Sequence, residues 1–269
     1  MSAHDDFMQQ VQINLEAQGR DSELQTMSRS WIEKTSRHKY SYNFTHLARP
    51  IIQYPEDIVA MQELLWEVKP DLIIETGIAH GGSLILSASM LALLDYCEAA
   101  TARKAIDPHA TRRRVIALDI DIRPHNRAAI SAHPLSHYIE MIQGSSIAPE
   151  VVDKVRTIAR NYERILVCLD SNHTHDHVLR ELEAYAPLVS PGSYCVVFDT
   201  VIEHMPDSLY ADRAWRQGNN PMTAIDKFLT ILETGATAAD GRPLEFTVDT
   251  RIDAKLLIST APRGYLRRR

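Results

Sequence analysis

The chain has 269 residues, of which 45% are hydrophobic and 24% charged, and its formal net charge is −6. That length and composition suit a single α/β domain with extensions, large enough to bury a core without disulfide or metal staples. The negative balance excludes an overall basic field for nucleic acid, and three cysteines with no CxxC pair suit a reducing cytoplasm.

Residues 1–48 are polar with scattered aromatics, and form a partly helical N-terminal extension; residues 49–269 form the main domain. No basic segment followed by an apolar core opens the chain, so no secretory signal is read. The apolar runs are too short and too interrupted for a membrane span. From Pro55, Ile58, Met61, Leu64, Leu65 and Val68 fall on one helical face, and Pro70 ends that helix.

Strand and helix then alternate. Residues 71–76 (DLIIET) form a strand, and a helix over 81–96 follows a glycine-rich turn. Residues 114–120 (RVIALDI) form a strand before a helix from Pro124, and 137–142 a weaker strand before a helix over 146–162. Residues 164–170 (RILVCLD) form a strand before a helix over 174–185, and 194–199 (YCVVFD) a fifth strand. Continuous rather than alternating apolar strands argue for a Rossmann-like, doubly wound, mostly parallel sheet with helices on both faces. Residues 200–222 form a long loop and 221–234 a helix. Residues 244–250 and 254–260 are expected to close the sheet as an antiparallel hairpin, and Arg267–Arg269 to be a solvated tail.

Ligands of such sheets bind outside the carboxyl ends of the strands. Four of the five ends carry a carboxylate: Glu75, Asp119 (with Asp121), Asp170 and Asp199. Each could cap the next helix, but the four together point to a polar ligand. The turn ETGIAHGGS contributes Glu75, Thr76, Gly77, Gly81, Gly82 and Ser83. It is not GxGxxG, and a pyrophosphate there would meet Glu75. A sulfonium or amino-acid ligand would instead pair its cationic group with that acid. Asp119 suits ribose hydroxyls, with Asp121 as runner-up, so S-adenosylmethionine is favoured over NAD. Ser145 and Ser146 are expected on the adenine side, and Trp215 and Asn219–Asn220 on a sugar.

The stretches ETGIAHGGS, ALDIDIRPHNR, QGSS, LDSNHTHDHVLREL, YCVVFD and APRGYLRR, in that order, resemble the cephalosporin hydroxylase / rhamnosyl O-methyltransferase family over roughly residues 40–267. The resemblance implies a class I S-adenosylmethionine-dependent methyltransferase acting on a hydroxyl of a sugar or glycosylated natural product. It implies Asp170 and Asp199 as Mg²⁺ ligands and His173, three residues after Asp170, as general base. An acid expected at 198 is Phe198 here, which leaves the Mg²⁺ requirement open; Glu203 or Asp207 could replace it. Other readings are a zinc or magnesium hydrolase, a zinc set of Asp170, His173 and His177, and a degenerate methyltransferase fold serving as a binding subunit. A homo-oligomer is left open.

Overall fold

The computed structural model describes residues 2–269. Two helices, α1 (Ala3–Arg20) and α2 (Ser22–Ser36), open the chain. Asp21 separates them and caps the second, its side chain accepting from the Leu24 N–H at 2.9 Å. A short antiparallel hairpin follows, β1 (Phe44–His46) and β2 (Arg49–Ile51). The sequence gives no hint of it. Its turn residues, Leu47 (φ 41°) and Ala48 (φ 68°), hold left-handed conformations that Asn-Gly usually supplies.

Helix α3 (Pro55–Val68) leads into β3 (Leu72–Thr76), α4 (Gly82–Ala102), β4 (Arg114–Asp119), α5 (Pro124–Ser131), β5 (Ile139–Gln143) and α6 (Pro149–Ala159). Then come β6 (Ile165–Leu169), α7 (His175–Tyr185), β7 (Tyr194–Val197), α8 (Pro221–Glu233), β8 (Phe246–Val248), α9 (Thr250–Lys255) and β9 (Tyr265–Arg268). The main sheet runs β5-β4-β3-β6-β7-β9-β8; β3 to β7 are mutually parallel, and β9 is antiparallel to both of its neighbours.

Alternate strand residues sort the core into two layers. Ile73, Val115, Ala117, Leu166 and Cys168 pack with residues of α3, α4 and α5. Their neighbours Leu72, Ile74, Ile116, Val167 and Leu169 pack with α6, α7 and α8. Both faces being covered, the strands must be apolar throughout, as their sequences are. Helix α4, at 21 residues, is long and apolar enough by composition to cross a bilayer, which corrects the reading of short apolar runs. Leu84, Ile85, Leu91 and Leu94 on it are buried in the fold. At about 1.5–3 kcal/mol each, that burial accounts for its hydropathy.

The expected hairpin differs in its second half. Residues 254–260 are not a strand, because α9 and a connection tied to Asp57 occupy them. Asp57 accepts from Thr260 N–H at 2.8 Å and Ser259 Oγ at 2.6 Å. The partner of β8 is β9, drawn from the run expected to be a tail. Arg268 there is 2% exposed, and its guanidinium donates to both Asp240 oxygens at 2.8 Å and to the Val189 carbonyl. The run alternates as a strand does, with Arg268 buried between the exposed Arg267 and Arg269, and the charge of all three masks it.

Candidate active site

Parallel pairing of β3, β4, β5, β6 and β7 brings their carboxyl ends to one rim. A cleft of about 510 Å³ lies there, within the range of ligand sites. Gly77 makes the rim tight: with φ 87°, a Cβ at this position would stand 2.0 Å from the Asp170 carbonyl. Gly82 does the same on the other wall, where a Cβ would meet the Pro50 carbonyl at 2.2 Å. The first turn of α4 therefore seats the hairpin strand β2 against the cleft.

The expected residues take distinct places. Gly77, Gly82, Ser83, Asp119, Ser145, Ser146 and Asp170 line the cleft, together with His80, Ile120, Ser171 and Trp215. Asp119 is half-buried; its Oδ2 accepts from Ile78 N–H at 2.8 Å and its Oδ1 from Asp121 N–H at 3.0 Å. The Asp121 side chain is exposed and outside the lining. Thr76 is buried and ties β3 to β6, its Oγ1 accepting from Asp170 N–H at 3.2 Å. Gly81, with φ 83°, caps α4.

Glu75 departs from its expected part. It is 4% exposed, accepts from the Ser87 hydroxyl, and borders a separate void of about 10 Å³ with Gln53, Ser83, Asp170 and Phe198. Burial pushes its carboxyl above the usual range against the serine hydrogen bonds. Gln53, which sequence reasoning missed, lines both spaces and has an unpartnered buried Oε1.

Among the described residues, Asp170, His173 and Asp199 offer ligand atoms that lie within 4.8 Å of one another. His173 Nε2 is 3.1 Å from Asp199 Oδ2, and its ring meets Trp215 edge-on at 4.8 Å. Arg213 lies over the other partner's ring, 5.2 Å from the Trp215 centroid. Asp199 holds a left-handed backbone (φ 57°), which costs a non-glycine residue about 1–2 kcal/mol. Burial first, then the carboxylates of Asp199, Glu75, Glu181 and Asp57, hold Asp170 well above the ordinary carboxylate range. Such an excess of negative charge calls for a cation, and the oxygens of Asp170 and Asp199 are donors that fit a divalent one, with His173 beside them.

The zinc set does not assemble. His177 turns away from His173 to Ser146, Ser171 and Glu181. Nor do Glu203 and Asp207 replace the acid at 198. Glu203 accepts from Gly218 N–H at 2.9 Å and from the Asn220 amide, and Asp207 from Gln217 N–H at 3.1 Å. Asn220 is fully buried and caps α8, while Asn219 Oδ1 accepts from His175 N–H at 2.9 Å. Both amides expected on a sugar are thus committed to the loop.

The architecture is shared with solved structures. A structure of CmcI with Mg and SAM superposes with a TM-score of 0.53 at 16% identity, covering 85% of this chain and 77% of the other. Among curated proteins, the Rhamnosyl O-methyltransferase of Mycobacterium tuberculosis (strain ATCC 25618 / H37Rv) is 26% identical over 78% of this chain and 72% of its own length. That of Mycobacterium leprae (strain TN) is 28% identical over 63% and 68%. The family described as Rhamnosyl O-methyltransferase/CmcI matches residues 38–269, and the chain belongs to it.

Proposed function

We propose that the protein transfers the methyl group of S-adenosylmethionine to a hydroxyl of a sugar or glycosylated natural product. The observation that carries this reading is the meeting of Asp170, His173 and Asp199 at the rim of a cleft that also holds Asp119. The names of its curated relatives support a sugar as the acceptor's class.

When bound, S-adenosylmethionine supplies an electrophilic methyl group, and a divalent cation held by Asp170 and Asp199 supplies charge that makes the acceptor more acidic. The chain's own residues do the rest. Asp119 holds the ribose and Ser145 and Ser146 border the base. Displacement is in line, so fixing the acceptor oxygen against the methyl group provides much of the rate. As the O–CH₃ bond forms and the S–CH₃ bond breaks, the acceptor's proton passes to His173. Asp199, 3.1 Å from Nε2, orients that imidazole, and Trp215 walls it.

The expected boundary at 48/49 falls inside the β1–β2 hairpin, so in this reading the catalytic domain takes in that hairpin as well as residues 49–269, and the helices before it are the extension. Self-association through that extension, whose Phe7, Met8 and Ile13 are exposed, belongs to the same proposal, and sedimentation measures it. The free thiols Cys97, Cys168 and Cys195 favour the cytoplasm, and a net charge of −6 speaks against a nucleic-acid partner.

Calorimetric titration with S-adenosylhomocysteine is the test: saturable binding is expected, and its absence would refute methyl transfer. His173→Ala should leave that binding within a fewfold of wild type while turnover on a sugar acceptor falls roughly 10²–10⁴-fold. A rate indifferent to chelators would remove the cation from the scheme.

A further inference from the structure

His177 belongs to the cleft lining, and no role in the reaction requires it there. Its surroundings fix its chemistry. Glu181, one helical turn on, is fully buried, and its Oε1 accepts from Ser146 Oγ at 2.5 Å and Ser171 Oγ at 2.7 Å. His177 Nε2 faces the same three groups: Ser146 Oγ at 3.1 Å, Ser171 Oγ at 3.2 Å and Glu181 Oε1 at 3.4 Å. Each serine has one proton and has given it to the carboxylate. All three groups can therefore only accept from Nε2, so Nε2 carries a proton, and in the neutral ring that leaves Nδ1 as the acceptor. Among the described residues Nδ1 has no hydrogen-bond partner, while Nε2 has three. The arrangement is not a catalytic relay, because serine and carboxylate meet the same nitrogen.

We propose that His177 selects the base of the cofactor by accepting a hydrogen bond at Nδ1 from the exocyclic amino group of adenine. Glu181 is the positioning residue that locks its tautomer. The inference rests on the S-adenosylmethionine reading and names how that site tells its base. Ser145, Ser146 and Ile120 line the same cleft with His177, and Ile120, 72% exposed, offers an apolar surface for a purine face. A 6-oxopurine would turn a carbonyl oxygen toward Nδ1, setting two acceptors against each other and leaving both without a donor.

Calorimetry with S-adenosylhomocysteine and S-inosylhomocysteine, on wild type, His177→Leu, His177→Gln and Glu181→Gln, tests this. Wild type should favour the adenosyl ligand by roughly tenfold or more, the scale of one buried hydrogen bond lost. His177→Leu should bring the ratio of the two affinities toward one. His177→Gln, whose amide oxygen can accept, should keep part of it. Glu181→Gln should reduce it, and ¹⁵N-histidine NMR of wild type should show Nε2 protonated and Nδ1 bare. If wild type binds S-adenosylhomocysteine and neither His177 variant changes the ratio, the inference is overturned while methyl transfer stands. If wild type binds neither ligand, both fall. A wild-type preference for the inosyl ligand also overturns it.

Discussion

Phe198 is 3% exposed and lines the small void shared with Asp170, Gln53 and Met61, where the family resemblance calls for an acid. Phe198→Asp should add a third carboxylate beside Asp170 and Asp199, and tighten Mg²⁺ binding by roughly tenfold or more in calorimetry. The same change should cost about 3–5 kcal/mol in urea unfolding, since it removes a packed aromatic from the core. Asp57 makes a second residue-level case. Burial lifts its carboxyl to about 6, against hydrogen bonds from Ser259, Thr260 and Tyr265 that pull it down. The unfolded value is near 3.8, so folding favours the protonated form. Its contribution is complete below about pH 4 and fades as pH rises through 6, by about 3 kcal/mol in all. Asp57→Asn keeps the shape without the charge; the stability difference between variant and wild type should grow in the variant's favour across that window. Asp170, His173 and Asp199 were legible as singular chemistry at strand ends. Glu181 and Gln53 were not, because a buried polar residue is told from an exposed one only by what packs on it.

At the level of elements, apolar continuity made β3, β4, β6 and β7 visible, and their ends fall within two residues of the spans expected. Among the strands, the β1–β2 hairpin and β9 escaped, for opposite reasons. The β1–β2 hairpin lacks the turn residues that announce one, and is held instead by distant contacts: Arg49 Nε to the His80 carbonyl at 3.0 Å, and His46 Nε2 with Ser89 Oγ at 3.0 Å. Strand β9 is hidden by its arginines, of which Arg268 is buried and bonded to Asp240 and the Val189 carbonyl. Replacing Leu47–Ala48 by Asn-Gly should relieve two left-handed backbones and stabilise the protein by about 1–2 kcal/mol, measured by urea unfolding. A loss of stability would mean that the Leu47 side chain, 53% exposed, contributes more than its backbone costs.

For the molecule as a whole, the parallel sheet gathers Asp119, Asp170 and Asp199 at one end, around one cleft. A ligand that binds this cleft and not the unfolded chain should stabilise the whole fold by mass action. S-adenosylhomocysteine at a hundredfold excess over its Kd should add about 2.7 kcal/mol, raising the melting temperature by roughly 5–10 °C. Differential scanning calorimetry reads this directly, and an unmoved transition would count against cofactor binding.

Asp170 follows the last residue of β6, and Asp199 stands two residues past the end of β7. Leu169 and Val197 are register partners, and Phe198 N–H donates to the Leu169 carbonyl at 3.0 Å. The gap between the two acids is therefore a ruler cut by the sheet's own ladder, whose strands run about 4.8 Å apart. Loops around it can lengthen, shorten or change sequence without altering that gauge. What such a protein can vary is which atoms stand at the two marks, so its repertoire changes by exchanging side chains rather than by moving backbone.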